Sequence, residues 1–255
     1  MKNSTNRSIH LAEKAIHLEG VSVRYRGPAE RYSSFKDYLI RRLKGQVKIK
    51  TFWALKDVNL DIRQGEVFGF VGVNGAGKST LLKVVARVLH PTEGRVVVRG
   101  RVAPLLELGA GFHPELTGRE NIFLNGAFLG FSYKEMLDKF DAIVDFSELG
   151  PFIDAPIRNY SSGMYARLGF AVATASEPKV LIVDEILGVG DEAFQNKCSA
   201  RIERFRQKGT TILLVSHNMA AIAAMCQRAA WLDHGAIITV GKPDQVIQAY
   251  RQMEN

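Results

Sequence analysis

The sequence predicts an α/β protein built on a parallel sheet, and three observations lead to that prediction. Short, continuous apolar runs of the kind that form buried parallel strands occur at 67–71, 180–183 and 211–215. Segments in which apolar residues recur at helical spacing separate these runs. A glycine-rich segment joins the first run directly to a helical segment. Strands that alternate with helices form a parallel sheet with right-handed crossovers.

Length and composition fit a single globular domain. The chain has 255 residues, of which 46% are hydrophobic, enough for one sizeable core. Its apolar runs fall far short of the roughly 20 residues that cross a bilayer. Residues 1–20 lack the apolar region of a secretory signal, so we expect the chain to stay in the cytoplasm. Cys198 and Cys226 lack Cys-x-x-Cys spacing and are expected to be buried thiols.

Two segments of alternating polarity precede the first apolar run and predict strands. Apolar and polar residues alternate over 16–25, with a kink at Gly20, and again over 58–62. Trp53 stands immediately before the second of these predicted strands. The strongly basic stretch between the two segments is therefore an insertion.

Most of the positive charge lies in that insertion. The chain carries a net charge of +8, and residues 26–50, the basic insertion, contain eight basic and two acidic residues. Ser34 and Asp37 have the spacing of a capping box and predict an amphipathic helix that Gly45 ends. Such a helix binds an anionic surface, phospholipid or nucleic acid, or packs on its own domain, and these alternatives stay open. Its apolar face comprises Phe35, Tyr38, Leu39 and Leu43.

The glycine-rich segment has the spacing of a phosphate-binding loop. Four residues separate Gly72 from Gly77-Lys78-Ser79, and the following helical pattern extends over 81–89. Glycines let backbone N–H groups turn toward phosphates, and the helix N-terminus adds its positive dipole end. We expect Lys78 to reach the β- and γ-phosphates of a nucleotide and Ser79 to bind Mg²⁺. The expected nucleotide-binding residues of the loop are Gly72, Asn74, Gly75, Ala76, Gly77, Lys78, Ser79 and Thr80.

The middle of the chain predicts a hairpin and then a helical subdomain. Apolar runs at 96–98 and 102–106 flank Gly100 and predict the hairpin. Two capping boxes predict helices within a helical subdomain from about 112 to 177. The capping pairs are Thr117 with Glu120 and Ser132 with Glu135.

The C-terminal part predicts more helices and a second hairpin. Helices at about 193–207 and 219–228 flank the last apolar run. A hairpin turns at 233–235, and a tail helix occupies about 241–255.

Polar side chains follow the predicted parallel strands and are expected to meet at one edge of the sheet. Asp184 and Glu185 follow one apolar run, and His217 follows another. Asp184 suits Mg²⁺ or its waters, and Glu185 can accept a proton from an attacking water. His217 can donate a hydrogen bond to a γ-phosphate. The turn at 160–163 can present hydroxyl and N–H donors to an anion or serve as an ordinary helix N-cap.

These motifs, in this order and spacing, resemble the ATP-binding subunit of an ABC transporter over nearly the whole chain. Residues 72–80 match the Walker A loop, and 180–185 match the Walker B strand with its catalytic glutamate. Residues 160–164 occupy the signature position, 187–191 match the D-loop, and His217 matches the switch histidine. The resemblance implies one nucleotide-binding domain: an ABC-type P-loop NTPase core with a small antiparallel β subdomain and an α-helical subdomain.

The resemblance also implies a homodimer that stacks head to tail around two Mg-ATP. Each signature turn then closes over ATP that the other copy's Walker A loop holds. In this arrangement Glu185 is the general base, assisted by Asp184 and His217, and Mg²⁺ is bound by Ser79 and Asp184. The residues that contact ATP in trans are Ser161, Ser162, Gly163 and Asp191.

Departures from the usual ABC motifs resemble the polysaccharide exporters of bacteria. The signature reads Tyr-Ser-Ser-Gly-Met where Leu-Ser-Gly-Gly-Gln is usual, and 188–191 read Gly-Val-Gly-Asp where Ser-Ala-Leu-Asp is usual. The segments 106–112 and 116–122 also resemble exporters of O-antigen, capsule or teichoic acid. The Q-loop glutamine is missing, and Glu107 or Leu108 takes its place; only Glu107 could contact Mg²⁺ or its waters.

The adenine contact has two candidates. The family's stacking aromatic follows the first strand, which points to Tyr25. Trp53 is a rival whose indole offers a larger face. We favour Tyr25 and leave Trp53 open.

The resemblance therefore implies an ATPase that uses ATP and Mg²⁺ to export a lipid-linked polysaccharide, with lipopolysaccharide O-antigen as the leading cargo. The implied partner is a polytopic permease, whose cytoplasmic coupling helix binds the helical subdomain. The implied location is peripheral, at the cytoplasmic face of the bacterial inner membrane. Some O-antigen cassettes carry a further C-terminal carbohydrate-binding domain, which we do not expect in a chain that ends at Asn255.

Two other classes of function stay in view. The basic insertion also suits a soluble ABC ATPase acting on nucleic acid or ribosomes, although we expect no nucleic-acid partner. A regulatory nucleotide binder without turnover is disfavoured by Glu185 and His217.

Overall fold

The computed structural model describes residues 14–28, 49–105, 108–184, 190–216 and 218–254. Nine strands and seven α-helices occur in these residues. The strands are β1 (Lys14–Pro28), β2 (Ile49–Arg63), β3 (Val67–Val71), β4 (Glu93–Val98), β5 (Val102–Pro104), β6 (Val180–Val183), β7 (Thr211–Val215), β8 (Arg228–Asp233) and β9 (Ala236–Gly241). The helices are α1 (Lys78–Val85), α2 (Gly118–Phe128), α3 (Tyr133–Ser147), α4 (Ser162–Ala173), α5 (Glu192–Gln207), α6 (Met219–Met225) and α7 (Pro243–Glu254).

The strands form two sheets. One is antiparallel, with the order β2-β1-β4. The other has the order β5-β6-β7-β3-β8-β9, and its pairs are parallel except for the terminal β8-β9 hairpin. The apolar runs at 67–71, 180–183 and 211–215 are neighbouring parallel strands, as their composition predicted.

Two cores pack on opposite faces of the parallel sheet. Alternate residues of β3 divide between them, because successive side chains of a strand point to opposite faces. Phe68 and Phe70 pack against α1 and the antiparallel sheet, whereas Val67 and Val71 pack in the core shared with α2 to α7. Burial on both faces explains why β3 is continuously apolar. It also fixes the position of the loop that follows.

The predicted hairpin around Gly100 is wrong. β4 pairs with β1 in the antiparallel sheet, whereas β5 pairs in parallel with β6. The turn at Gly100, with φ of +81°, carries the chain from one sheet to the other. Their apolar runs indicated both strands, but such runs contain no information about the partner of each strand.

Several predicted boundaries are also wrong. The predicted helix over 81–89 ends at Val85, because Arg87 adopts φ of +62°, and Val88 is 72% exposed. The helix predicted to reach residue 228 ends at Met225, since Arg228 already belongs to β8. Trp53 lies within β2, which begins at Ile49, and not before it.

The other helices confirm their local signals. Both capping boxes are present, with Thr117 and Ser132 each accepting a hydrogen bond from the N–H of the glutamate three residues on. The bend at Gly20 accompanies register shifts between β1 and its neighbours. The amphipathic helix predicted in the basic insertion falls on residues 29–48, outside the described residues.

Candidate functional site

The loop between β3 and α1 has a backbone that requires glycine at two positions. Gly72 and Gly77 have φ of +148° and +108°, in the left-handed region. A Cβ atom on Gly72 would collide with the Leu232 carbonyl oxygen, and one on Gly77 would lie 2.6 Å from the Ala54 carbonyl oxygen. Gly77 is the N-cap of α1, and no side chain caps this helix. The first N–H groups of α1 therefore point at the loop without a side-chain acceptor, which favours an anion.

Lys78 is held inside this loop. It is 8% exposed, and its Nζ donates hydrogen bonds to the carbonyl oxygens of Gly72 and, at 3.0 Å, of Val73. Burial of an ammonium group is unfavourable unless it is paired, so these carbonyls fix its position. A cation and a set of backbone N–H groups thus converge at the start of α1.

A cavity of about 660 Å³ opens above the loop. Asp184, which follows β6, and Val215, the last residue of β7, reach it from the adjacent strands. The structure therefore brings together the loop and the Asp184 carboxylate, as the sequence predicted. The loop residues that line the cavity are Asn74, Gly75, Gly77, Lys78, Ser79 and Thr80.

Three predicted site residues lie outside the described residues: Glu107, Glu185 and His217. Glu185 directly follows Asp184, and His217 comes two residues after Val215. Their roles stay predictions.

The residues at the cavity fit Mg²⁺. Ser79 and Asp184 offer hydroxyl and carboxylate oxygens, the ligands that this ion prefers. No group of three or more His, Cys, Asp or Glu side chains able to hold a metal occurs in the part of the chain that the structure describes. A site with few protein ligands suits Mg²⁺, which usually keeps several waters and binds substrate phosphates.

An aromatic pair forms one wall of the cavity. Tyr25 and Phe52 are cross-strand neighbours of β1 and β2, and their ring centroids lie 5.4 Å apart. Tyr25 is 37% exposed and Phe52 is 57% exposed, so both rings offer a surface. Trp53 also borders the cavity, but the Arg24 guanidinium lies 5.1 Å from the centroid of its ring. The pleat also directs Trp53 to the face opposite Phe52.

Phe52 is a candidate binding residue that the sequence reasoning missed. The alternation at 58, 60 and 62 does not extend to this residue, because Lys56 interrupts the pattern and Leu55, not Lys56, is buried. β2 is irregular between Leu55 and Val58, so no alternation in the sequence indicates which face Phe52 occupies.

A second cavity, of about 770 Å³, lies at the start of α4. Ser161 is the N-cap of α4, and its hydroxyl accepts a hydrogen bond of 3.2 Å from the Met164 N–H. Asp191 is the N-cap of α5 and accepts one of 2.9 Å from the Phe194 N–H. The residues predicted to act in trans, Ser161, Ser162, Gly163 and Asp191, all line this cavity.

The two cavities share no lining residue. Within one chain, the phosphate-binding loop and the turn at Ser161 therefore form separate surfaces. Each surface carries only part of the hydrogen-bond donors expected around a nucleoside triphosphate.

Tyr160 has a structural role beside the second cavity. Its hydroxyl donates a hydrogen bond of 2.8 Å to the Phe152 carbonyl oxygen and lies against Gly118, where a Cβ atom would collide with it. Burial raises the pKa of Tyr160 above its ordinary value, which keeps the hydroxyl a donor. The tyrosine at the first signature position therefore joins the turn at 160–163 to the start of α2.

Comparison with known proteins places the chain in a family. A sequence model of the ABC transporter family matches residues 55–188, which include the loop and Asp184. The O-antigen export system ATP-binding protein RfbB of Klebsiella pneumoniae is 46% identical, over 94% of this chain and 98% of that protein. RfbB of Myxococcus xanthus is 47% identical over 93% of this chain, which covers only 56% of that protein.

A solved structure shows the same fold. It is the dimeric structure of an ATP-binding cassette in a post-hydrolysis state bound to ADP and phosphate, with a TM-score of 0.66. The two chains are 22% identical, and the alignment covers 89% of this chain and 98% of the other. Fold, loop geometry and sequence comparison agree, and the chain belongs to the ABC transporter family, as one of its ATPase cassettes.

Proposed function

We propose that this chain is the ATP-hydrolysing subunit of an exporter for a lipid-linked polysaccharide, with lipopolysaccharide O-antigen as the cargo. The convergence of the glycine loop, Lys78 and Asp184 on one cavity carries the ATPase part of the proposal. The export part is supported by the relatives named for O-antigen export, one of which this chain matches over 98% of its length.

The chain's own residues suggest how ATP is bound. The loop N–H groups and Lys78 bind the phosphates, because they supply positive charge at a fixed position. The Tyr25-Phe52 pair provides a stacking surface for adenine. Ser79 and Asp184 would hold Mg²⁺, with Glu107 as a further sequence-based candidate. Bound there, Mg²⁺ neutralises charge on the phosphates.

Hydrolysis needs a base and a donor near the γ-phosphate. We assign the base to Glu185, which accepts the proton of the attacking water. We assign the donor to His217, which holds the γ-phosphate by a hydrogen bond. In the sequence, Glu185 directly follows Asp184 and His217 comes two residues after Val215, and Asp184 and Val215 line the cavity.

The composite site requires a second copy of the chain. We infer a head-to-tail homodimer in which Ser161, Ser162, Gly163 and Asp191 of one copy close over ATP on the loop of the other. The separation of the two cavities in one chain supports this arrangement. Exposed hydroxyls and N–H groups at the start of α4 suit the γ-phosphate.

A groove beside α2 is our candidate for the permease contact. It has a volume of about 460 Å³. Its rim contains the apolar residues Val88 and Phe128, 72% and 71% exposed, beside the basic Arg87 and Arg101. Exposed apolar groups rimmed by charge favour a protein partner. No helix among the described residues is long and apolar enough to cross a bilayer. Our proposal, which rests on the relatives named for export, places the translocation path in a separate permease. The cassette then sits at the cytoplasmic face of the inner membrane.

Deletion of the gene tests the export proposal. We expect loss of the long-chain ladder of surface lipopolysaccharide, with undecorated lipid A-core retained. The intact chain should restore the ladder on re-expression, and a Lys78→Ala variant should not. An unchanged ladder in the deletion strain would refute O-antigen export.

Nucleic-acid binding is the second candidate, because the basic insertion carries a net charge of +6 from eight basic and two acidic residues. Titration with duplex DNA and ribosomal RNA at several salt concentrations would test it. Micromolar binding at physiological salt would favour this candidate over export.

A further inference from the structure

Four charged side chains from three helices form one cluster beside the second cavity. The carboxylate of Glu148, the C-cap of α3, accepts a hydrogen bond of 2.7 Å from Arg167 of α4 and one of 3.0 Å from Lys197 of α5. Arg167 also donates one of 2.7 Å to Asp191, the N-cap of α5. Glu148 therefore joins two cations and links α3, α4 and α5.

The backbone of Glu148 is unusual for this residue type. It adopts φ of +59° and ψ of +30°, the left-handed conformation that glycine or asparagine usually supplies at a helix C-terminus. Glutamate is strained in this region, whereas glycine is not. The backbone therefore gives no reason for a glutamate here. The reason for a glutamate is its carboxylate, which binds the two cations Arg167 and Lys197.

The carboxylate is in its charged form at neutral pH. The hydrogen bond from Lys197, more than any other contact, lowers the pKa of Glu148 below its ordinary value. Lys197 is itself fixed by a hydrogen bond of 2.9 Å to the Phe146 carbonyl oxygen at the end of α3.

Arg167 depends on Glu148 for its orientation. Its side chain is 18% exposed, and its guanidinium lies 4.8 Å from the centroid of the Phe194 ring. One terminal nitrogen donates to Glu148 and the other to Asp191, which leaves the guanidinium little freedom to rotate. Without Glu148, the guanidinium would keep only one of these two anchors.

Asp191 lies close in sequence to Asp184 and Glu185. Residues 185–190 separate it from Asp184, the residue that follows β6. Glu185 is the first of these residues. As the N-cap, Asp191 holds the first turn of α5 through the hydrogen bond that it accepts from the Phe194 N–H. Glu148, Arg167 and Asp191 also line the same cavity as the turn at Ser161.

We propose that Glu148 is a positioning residue for ATP hydrolysis, which orients Arg167 and thereby fixes Asp191 relative to the signature turn. The proposal rests on the proposed function, since it gives Glu185 and the signature turn their roles in hydrolysis. It predicts that removal of this carboxylate affects turnover more than stability or ATP affinity.

Two variants of the full chain, Glu148→Gly and Glu148→Gln, test the proposal. Glycine removes the strain of the left-handed backbone together with the carboxylate, whereas glutamine keeps the shape of the side chain and removes its charge. The matched control is Glu203→Gln on α5, an exposed carboxylate that accepts two hydrogen bonds of 2.7 Å from Arg206. Three quantities are measured: the thermal midpoint, amide hydrogen exchange at 190–194, and kcat and KM for ATP.

For Glu148→Gly we expect an unchanged or higher thermal midpoint, exchange at 190–194 at least fivefold faster, and kcat at least fivefold lower. The KM for ATP should change less than twofold, and Glu148→Gln should change kcat and exchange in the same direction. The control should change none of these quantities. Unchanged exchange at 190–194 in both variants, or a loss of kcat that only follows a lower midpoint, would overturn the proposal.

The exchange measurement separates this proposal from the proposed function. If the wild-type chain hydrolyses no ATP, the ATPase role fails, whereas faster exchange in the variants still shows that Glu148 fixes Asp191. If the wild-type chain hydrolyses ATP and the variants exchange at the wild-type rate, the positioning role fails alone.

Discussion

Replacing Tyr25 by alanine should weaken nucleotide binding through the base alone. The ring lines the cavity next to Phe52, and its 37% exposure leaves a face available for adenine. A base stacked on an aromatic side chain contributes about 1–3 kcal/mol. We take the lower half of this range because the ring lies at the open edge of the cavity. A loss of about 1.4 kcal/mol raises Kd about tenfold.

Substitutions of the neighbouring rings of Phe52 and Trp53 give further tests of this prediction. Phe52→Ala removes the ring that supports Tyr25 and should raise Kd by roughly threefold, a loss of about 0.7 kcal/mol. Trp53→Ala should change Kd by less than about twofold, because Arg24 lies over its ring and the pleat turns it away from Phe52. Neither exposed ring should alter the free energy of unfolding by more than about 1 kcal/mol.

Isothermal titration with ATP and with tripolyphosphate is the assay. Tyr25→Ala should weaken ATP binding and leave the binding of tripolyphosphate, which has no base, unchanged. A larger loss in Trp53→Ala than in Tyr25→Ala would refute the stacking assignment. Equal losses for ATP and tripolyphosphate would show that Tyr25 acts through the phosphate loop.

Three further predictions concern the loop, a buried amide and the thiols. Lys78→Ala should abolish measurable ATP binding in the same titration, since Lys78 is the buried cation of the loop; retained affinity would contradict its role. Asn121 is fully buried and makes four hydrogen bonds to the backbone of 113–117. Asn121→Ala should therefore lower the free energy of unfolding, measured by urea denaturation, by about 3 kcal/mol. A loss below about 1 kcal/mol would contradict this role of the amide. Burial raises the pKa of Cys198 to about 11 and of Cys226 to about 12, so neither thiol should react with iodoacetamide at pH 8 before unfolding. The folded chain holds these protons more tightly than the unfolded chain, so the contribution of the two thiols to stability should be constant below pH of about 9 and fall above it; a stability that rises above pH of about 9 would contradict the burial argument.

Local sequence signals predicted what local physics determines. The phosphate-binding loop, both capping boxes and the three buried parallel strands were identified because each depends on residues close in sequence. The glycines of the loop are an example, since their left-handed backbone is a property of the loop itself.

Features that depend on distant contacts were not predicted. Gly100 was interpreted as a hairpin turn because the sequence does not show that β4 pairs with β1 and β5 with β6. The end of α1 depends on Arg87, whose guanidinium donates a hydrogen bond to the Val98 carbonyl oxygen of β4, in the antiparallel sheet.

The site shows the same limit. Asp184 and the loop were predicted to converge because parallel strands end at one edge of a sheet. The sequence did not reveal the cluster around Glu148, because its hydrogen-bonded pairs are separated by 19 to 49 positions in the chain. No local pattern indicates such a contact.

The composite site can be tested most directly with Glu185→Gln. This variant should bind ATP without hydrolysing it, and the closed dimer should accumulate. Light scattering after gel filtration should then show the 28.3 kDa chain at twice this mass with ATP and Mg²⁺, and as a monomer without nucleotide. A second change, Ser162→Arg, should prevent dimerisation and leave ATP binding to the single chain intact. A Glu185→Gln chain that stays monomeric in saturating ATP, or that turns ATP over at the wild-type rate, would contradict the account.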